Sequence, residues 1–335
     1  MSQQPHAVRY SMKLLRAGEF RLDGGSMFGL IPRVVWSRTA PTDDKGRIAV
    51  QHNCLLLARL DDPPHGSKLP SPKLVLIETG TGNKLDPKNR DIFALSERWI
   101  GTALDEAACR PEDIGGVVVS HLHFDHAGGL TRLCREGEKP DWAGHASSFG
   151  GPRPDQGVKR TFPNAKVFAQ AREWADANAD RSVMTRTYFQ DHLAPVADQF
   201  VGVESARPFA PGLIPERDES PRAGVDLRET EIMPGIFVFL TPGHTWGQQA
   251  VRFTDAKGRQ VVFTPDVMPT AWHVGAAYNL AYDVEPYTSM VTRRWFLGEA
   301  AARKWTLCLD HEAGNPFRTV KENGKGWFEL EEAGE

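Results

Sequence analysis

Cysteine is scarce in this chain of 335 residues: Cys54, Cys109, Cys134 and Cys308 lie far apart, with no C-x-x-C pair. That spacing excludes a disulfide framework and a cysteine-based zinc finger, and predicts reduced thiols in a cytoplasmic protein. Long apolar runs are missing too. No stretch approaches the roughly 18 apolar residues that span a bilayer, and the opening MSQQPHAVRYSMKLL lacks the apolar segment of a signal peptide. Nor is there a basic excess, because 40 Lys+Arg face 43 Asp+Glu for a net charge of −3. Without surplus cations to neutralise phosphates, nucleic acid is not an expected partner, and neither is a membrane. No short repeat recurs and no G-x-S-x-G is present, which argues against solenoids and against serine-triad chemistry.

What is present is a globular composition, 40% hydrophobic and 25% charged. Residues 1–9 read as a loose polar tail. Apolar runs bounded by turn residues predict strands at Met12–Leu22, Met27–Trp36, Asn53–Leu60, Lys73–Glu78, Gly116–Ser120, Lys166–Ala169, Gly235–Thr241, Gln249–Phe253, Gln260–Thr264 and Trp305–Leu309. Helical spacing appears at Asp91–Cys109, Gln170–Asn178, Met184–Leu193 and Thr288–Arg303. A closing hairpin is expected around Asn323-Gly324. Two segments rich in Gly, Pro and charge, 136–161 and 204–228, break the alternation and read as lids or disordered insertions.

The chemistry concentrates in Val117-Val-Val-Ser-His121-Leu-His123-Phe-Asp125-His126-Ala-Gly-Gly129. A strand sends His121 and His123 to one face, and a turn after it brings Asp125 and His126 round the same point. Gly128 and Gly129 are expected to let the backbone bend tightly into a helix. Imidazole and carboxylate are the groups that Zn²⁺ accepts. Four of them on one loop exceed what one ion with an open position takes from a single segment, so two metals are suggested. Further single donors follow later strands: His244 in Thr241-Pro-Gly-His-Thr-Trp-Gly247, Asp266 in Thr264-Pro-Asp, and His311 in Leu309-Asp-His-Glu312. Ligands in open α/β sheets gather at strand ends.

This order, H-x-H-x-D-H, then T-P-G-H-T-x-G, then Asp, then His, resembles the metallo-β-lactamase superfamily. The resemblance implies an α/β fold, a four-layer αββα sandwich, formed here by residues 10–335 as one domain. It implies that His121, His123 and His244 hold one divalent ion, that Asp125, His126 and His311 hold a second, and that Asp266 bridges them. Zn²⁺ is the default metal, with Fe, Mn or Co also suited to such donors. Ser26-Met-Phe-Gly-Leu-Ile-Pro32 and the Pro269-Thr270 segment with His273 are most similar to the quorum-quenching lactonase and methyl parathion hydrolase branch. Glu78 stands where the family has Asp, Pro265 where it often has Gly, and Pro269 where shorter lactonases have a Tyr.

Two metals sharing a carboxylate lower the pKa of a bridging water enough to supply hydroxide near neutral pH. The expected activity is attack of that hydroxide on a small ester, foremost a lactone such as an N-acyl-homoserine lactone. Phosphotriesterase or aryl esterase chemistry is the alternative, followed by glutathione-thioester hydrolysis or a non-catalytic metal-binding module. Asp125, Asp266 and His273 are the expected catalytic residues, the two carboxylates at the centre and His273 as a substrate contact or a donor behind the ligands. Met27 and Phe28 are candidates for an apolar rim, and Tyr188, Tyr278 and Tyr282 for the missing phenol. A homodimer is compatible with all of this.

Overall fold

The computed structural model describes residues 8–179, 186–208 and 227–335. Strand alternation in the sequence becomes layering in space. In Leu74–Ile77, Val75 and Ile77 enter one core while Leu76 enters another, and in the next parallel strand Val118 opposes Val117 in the same way. In Gln260–Thr264, Val261 and Phe263 join Val75 and Ile77, whereas Val262 faces the opposite side. Side chains that alternate at period two between two dry faces require cover on both. The result is a central core between two β-layers, with an outer helical core on each side.

The first β-layer runs in the order Phe200–Val203, Lys166–Gln170, Gly116–Val118, Leu74–Ile77, Arg47–Arg59, Arg9–Asp23. The second contains Gln249–Asp255, Gln260–Thr264, Thr306–Leu309, Phe317–Glu322 and Phe328–Glu332, with Ile236–Leu240 also paired to Gln249–Asp255. They join where Arg9 and Tyr10 pair in parallel with Thr254 and Asp255. Ile100, Ala103 and Leu104 of the helix Ile100–Glu106 cover the first layer against Leu76 and Val117. The helix Pro286–Arg303 covers the second with Trp295, Phe296, Leu297 and Ala300. Pro286 opens that helix, where a missing N–H costs nothing, and Lys304 closes it in the left-handed region at φ 56°. This is the expected αββα sandwich. No helix of the described residues is long and apolar enough to cross a membrane.

Three local expectations change. Met27–Trp36 is not a strand but two short helices, Gly24–Phe28 and Arg33–Trp36, the first capped by the Asp23 carboxylate on the Ser26 amide at 2.8 Å. Its apolar residues belong to a fourth core, where Met27, Phe28 and Trp36 pack with Phe20, Ile48 and Val50. Asp91–Cys109 is not one helix. Pro87–Ile92, capped by Asp86, stops before Ala94 at φ 43°, and Ile100–Glu106 starts afresh. Segment 136–161 is not structureless, since Thr131–Leu133 pairs with Val158–Arg160 and Ser147–Ser148 with Gly151–Pro152. Of the expected Met184–Leu193 helix, Gln190–Leu193 is present, and 184–185 lie outside the described residues, as do 1–7 and 209–226. Arg9 already belongs to the first strand.

Candidate metal centre

The strand Gly116–Val118 delivers Ser120 and His121 to the sheet edge, and a single helical turn, Phe124–Ala127, swings Asp125 and His126 back toward them. Gly128 and Gly129 follow this helix rather than introduce it. Gly128 has an ordinary helical φ of −60°, so its smallness answers a close approach, not a dihedral. A Cβ at Gly128 would collide with the Thr81 carbonyl, and one at Gly129 with the Thr79 carbonyl. The loop after Leu74–Ile77 thus lies directly on the loop that carries the histidines.

Three imidazoles form a first set. His123 Nδ1 stands 3.0 Å from His121 Nε2 and 3.0 Å from His244 Nε2, all three residues buried. A second group gathers His126, Asp266, Asp310 and His311, whose donor atoms lie within 4.8 Å of one another. His126 Nε2 and His311 Nε2 are 3.2 Å apart. Asp125 flanks both, at 3.9 Å from His126 Nε2 and 3.7 Å from His311 Nε2. Asp266 spans the two groups: Oδ2 is 3.1 Å from His244 Nε2 and Oδ1 is 3.3 Å from His311 Nε2. All seven sequence-derived donors therefore converge.

The ring nitrogens that face away from this centre have their own partners. His121 Nδ1 meets Ser120 Oγ at 3.0 Å, His244 Nδ1 meets Asp283 Oδ1 at 2.9 Å, and His311 Nδ1 donates to the Gln51 carbonyl at 3.0 Å. Glu78 does what its shorter relative would do. Its Oε1 accepts the Ser120 amide at 2.6 Å and its Oε2 lies 3.5 Å from His126 Nδ1. It reaches them from a left-handed backbone, φ 68°, a strained position for a residue with a side chain. Glu173 braces both ligand loops, accepting from the Leu122 amide at 3.1 Å and from Thr245 Oγ1 at 2.7 Å. Such partners fix tautomers and ring orientation.

Burial, and then the neighbouring imidazoles, hold His121 and His123 well below the ordinary histidine range. At His126 burial acts in the same direction, but Asp125 and Glu78 outweigh it and lift the ring well above that range. Burial is likewise outweighed at His244, which Asp266 and Asp283 push up to about 10. Asp310 is raised well above ordinary carboxylates, by burial and then by Asp266. The centre thus sets two imidazoles held neutral, His121 and His123, beside a carboxylate field that favours positive charge at His126 and His244. Asp266 Oδ1 and both Asp310 oxygens have no hydrogen-bond partner. Imidazole nitrogens turned toward one another beside such carboxylates fit divalent cations.

His273 is not brought into this group. Its Nδ1 meets Thr270 Oγ1 at 2.8 Å, its Nε2 donates to the Met27 carbonyl at 2.8 Å, and its ring stacks on Phe28. With both nitrogens engaged it pins the Gly24–Phe28 segment instead of facing substrate. Met27 and Phe28 are buried core, not rim. Among the tyrosines, Tyr188 has its ring 5.2 Å from that of His123 and donates to Glu173 at 3.0 Å, while Tyr278 packs edge-on against Phe28. Tyr282 also borders the centre: its ring is 6.0 Å from that of His244, 39% of its surface is exposed, and its hydroxyl donates to Met27 Sδ at 2.6 Å. Burial and the nearby Asp266 and Asp125 raise its pKa well above that of a free phenol.

Sequence reasoning missed Asp310, Asp283 and Glu173. Only Asp310 carried a signal, as the neighbour of His311; Glu173 is one acid of an expected helix and Asp283 an isolated acid in no expected element.

Comparison with known proteins agrees with this geometry. A family model described as the metallo-beta-lactamase superfamily matches residues 72–311. No curated protein matches the sequence. Among solved structures, a probable metal-dependent hydrolase from Staphylococcus aureus is 22% identical with a TM-score of 0.69, covering 97% of this chain and 98% of that one. AidC, a dizinc quorum-quenching lactonase in complex with a product, N-hexanoyl-L-homoserine, is 16% identical with a TM-score of 0.66, covering 98% of each chain. Hydrolase AbOPH of the beta-lactamase superfamily is 17% identical with a TM-score of 0.64, covering 99% of each. The family model spans more than half of the chain and ends on the last histidine of the centre, and the protein belongs to the metallo-β-lactamase superfamily of hydrolases.

Proposed function

We propose that this protein hydrolyses a small neutral ester, foremost a lactone of the N-acyl-homoserine type, at a centre of two divalent ions. His121, His123 and His244 would hold one ion, Asp125, His126 and His311 the other, with Asp266 shared. The observation that carries the proposal is Asp266, whose two oxygens face opposite donor groups, one toward His244 and one toward His311. Ions bound there supply an activated water and a Lewis-acid hold on the substrate oxygen.

The chain's own residues do the rest. Asp125, beside both imidazoles of the second group, is placed to take up a proton and return it to the departing oxygen. Tyr282, partly exposed beside His244, would offer its hydroxyl to a substrate carbonyl by giving up its contact with Met27 Sδ. Asp283 keeps His244 in one tautomer and Glu173 keeps the two loops at fixed separation. Exposed apolar side chains lie on segments next to the centre's neighbours: Leu30, Val34 and Val35 follow the helix whose Met27 receives Tyr282, and Phe149 packs on Phe124 beside Asp125. They suit an uncharged, partly apolar substrate, in keeping with a net charge of −3 that advertises no anion site. The lactonase AidC shares the fold along its length.

The phosphotriester alternative stays attached to one feature, Pro269 in place of a tyrosine close to the shared carboxylate. Metal-loaded protein assayed on an acyl-homoserine lactone, an aryl ester and a phosphotriester, beside Asp266→Ala, tests both readings. The highest kcat/KM is expected on the lactone, with loss of turnover and of metal in the variant. Absence of turnover on all three by fully loaded wild type would refute the proposal.

A further inference from the structure

Asp310 has no role in the assignments above, yet its setting demands one. The strand Thr306–Leu309 ends immediately before it, and its amide donates to the Thr264 carbonyl at 3.2 Å, which ties it to the strand end that presents Asp266. The residue is 2% exposed and neither carboxylate oxygen has a hydrogen-bond partner. A carboxyl in such a place must either keep its proton or meet a compensating positive charge, and ionising it without one costs several kcal/mol.

Two more buried oxygens are short of partners. Asn53 Oδ1 is also without a hydrogen-bond partner, Glu78 Oε2 meets only His126 Nδ1 at 3.5 Å, and both residues line the same small cavity as Asp310, together with Asp125, His126 and His311. That cavity has a volume of about 10 Å³, room for a single water at most. One water donates two protons, fewer than the orphaned acceptors present. Hydration therefore does not balance the site, and a cation does.

We propose that Asp310 is a further ligand of the second ion, and that it sorts the two ions by hardness. This rests on the reading of the centre as dinuclear. With Asp310 the second group sets three carboxylates, Asp125, Asp266 and Asp310, beside two imidazoles. The first group has three imidazoles and a share of Asp266. Nitrogen-rich sites suit Zn²⁺, whereas carboxylate-rich sites suit harder ions such as Mn²⁺. The centre is built to hold two different metals.

The test loads chelator-stripped full-length protein with equimolar Zn²⁺ and Mn²⁺ together. Metal content is read by elemental analysis and bound Mn²⁺ by electron paramagnetic resonance. Wild type is expected to hold about one of each, and Asp310→Ala to keep its zinc while binding Mn²⁺ at least about tenfold more weakly. Asp310→Asn, close in shape, is read alongside in case the alanine variant does not fold, and it too is expected to lose Mn²⁺ affinity. Unchanged binding of both ions by both variants would overturn the ligand role, and two zinc ions in wild type would overturn the sorting. Failure of wild type to bind any divalent ion would refute the dinuclear reading itself, a distinct result.

Discussion

Raising the pH through the range in which a buried lysine loses its proton should stabilise this protein. Lys84 is 1% exposed, and its ammonium donates to the carbonyls of Gly128 and Thr131, the turn directly after the helix Phe124–Ala127 that carries Asp125 and His126. Burial lowers its pKa from 10.5 to about 8, against the opposing pull of Asp191. A displacement of that size is worth about 3 kcal/mol. Below about pH 8 both folded and unfolded chains carry the charge, and the cost of burying it is felt in full. Between about 8 and 10.5 the unfolded chain keeps its proton while the folded chain has released it, so stability rises with pH. Lys84→Met isolates this group, because other titrations cancel when the two proteins are compared. Urea unfolding at matched metal content should show the stability of wild type relative to the variant increasing by about 3 kcal/mol from pH 7.5 to 10.5. The lost hydrogen bonds of Lys84 add a constant offset and no slope. A difference that stays flat, or falls, over that interval would refute the reasoning.

Other perturbations probe the supports of the centre. Asp283→Ala leaves His244 Nδ1 without its carboxylate, and competition with a chelator should show metal affinity reduced about 10–100-fold. Glu173→Ala strands the buried Leu122 amide and should lower unfolding free energy by about 1–3 kcal/mol, read from denaturant midpoints. Gly128→Ala drives a methyl into the Thr81 carbonyl, so it should destabilise by more than about 2 kcal/mol and weaken metal binding, checked by thermal melting and metal content.

The histidine motif was legible because no packing requirement explains four such residues in six positions, and its context, a buried strand before and glycines after, is itself readable. The later donors were legible through their place after strands. Their supports were not. Asp283, Glu173 and Asp310 look like any surface acid until tertiary structure buries them, and nothing local marks an acid as one that will be buried. Strand positions with two dry faces were recognised by their apolar runs, whereas Met27–Trp36 misled for the same reason. Met27, Phe28 and Trp36 are apolar because two short helices turn them into a satellite core. His273 was drawn into the site by its nearness to Asp266 in sequence, and only the structure reveals that both of its nitrogens are already engaged.

On the dinuclear reading, the donors also set when in the life of the chain the second ion could arrive. His121 and His311 belong to different β-layers, and Asp266 meets His311 only after Gln260–Thr264 pairs with Thr306–Leu309 across the intervening helix. Such long-range closure is slow. A ribosome-bound or truncated chain that lacks the final strands can present the first histidine motif but not the shared carboxylate opposite its last histidine. The second ion's site would be complete only once Thr306–Leu309 has paired, so its occupancy would report a fully folded chain, whereas the first ion's donors, His121, His123, His244 and Asp266, all come earlier in the sequence.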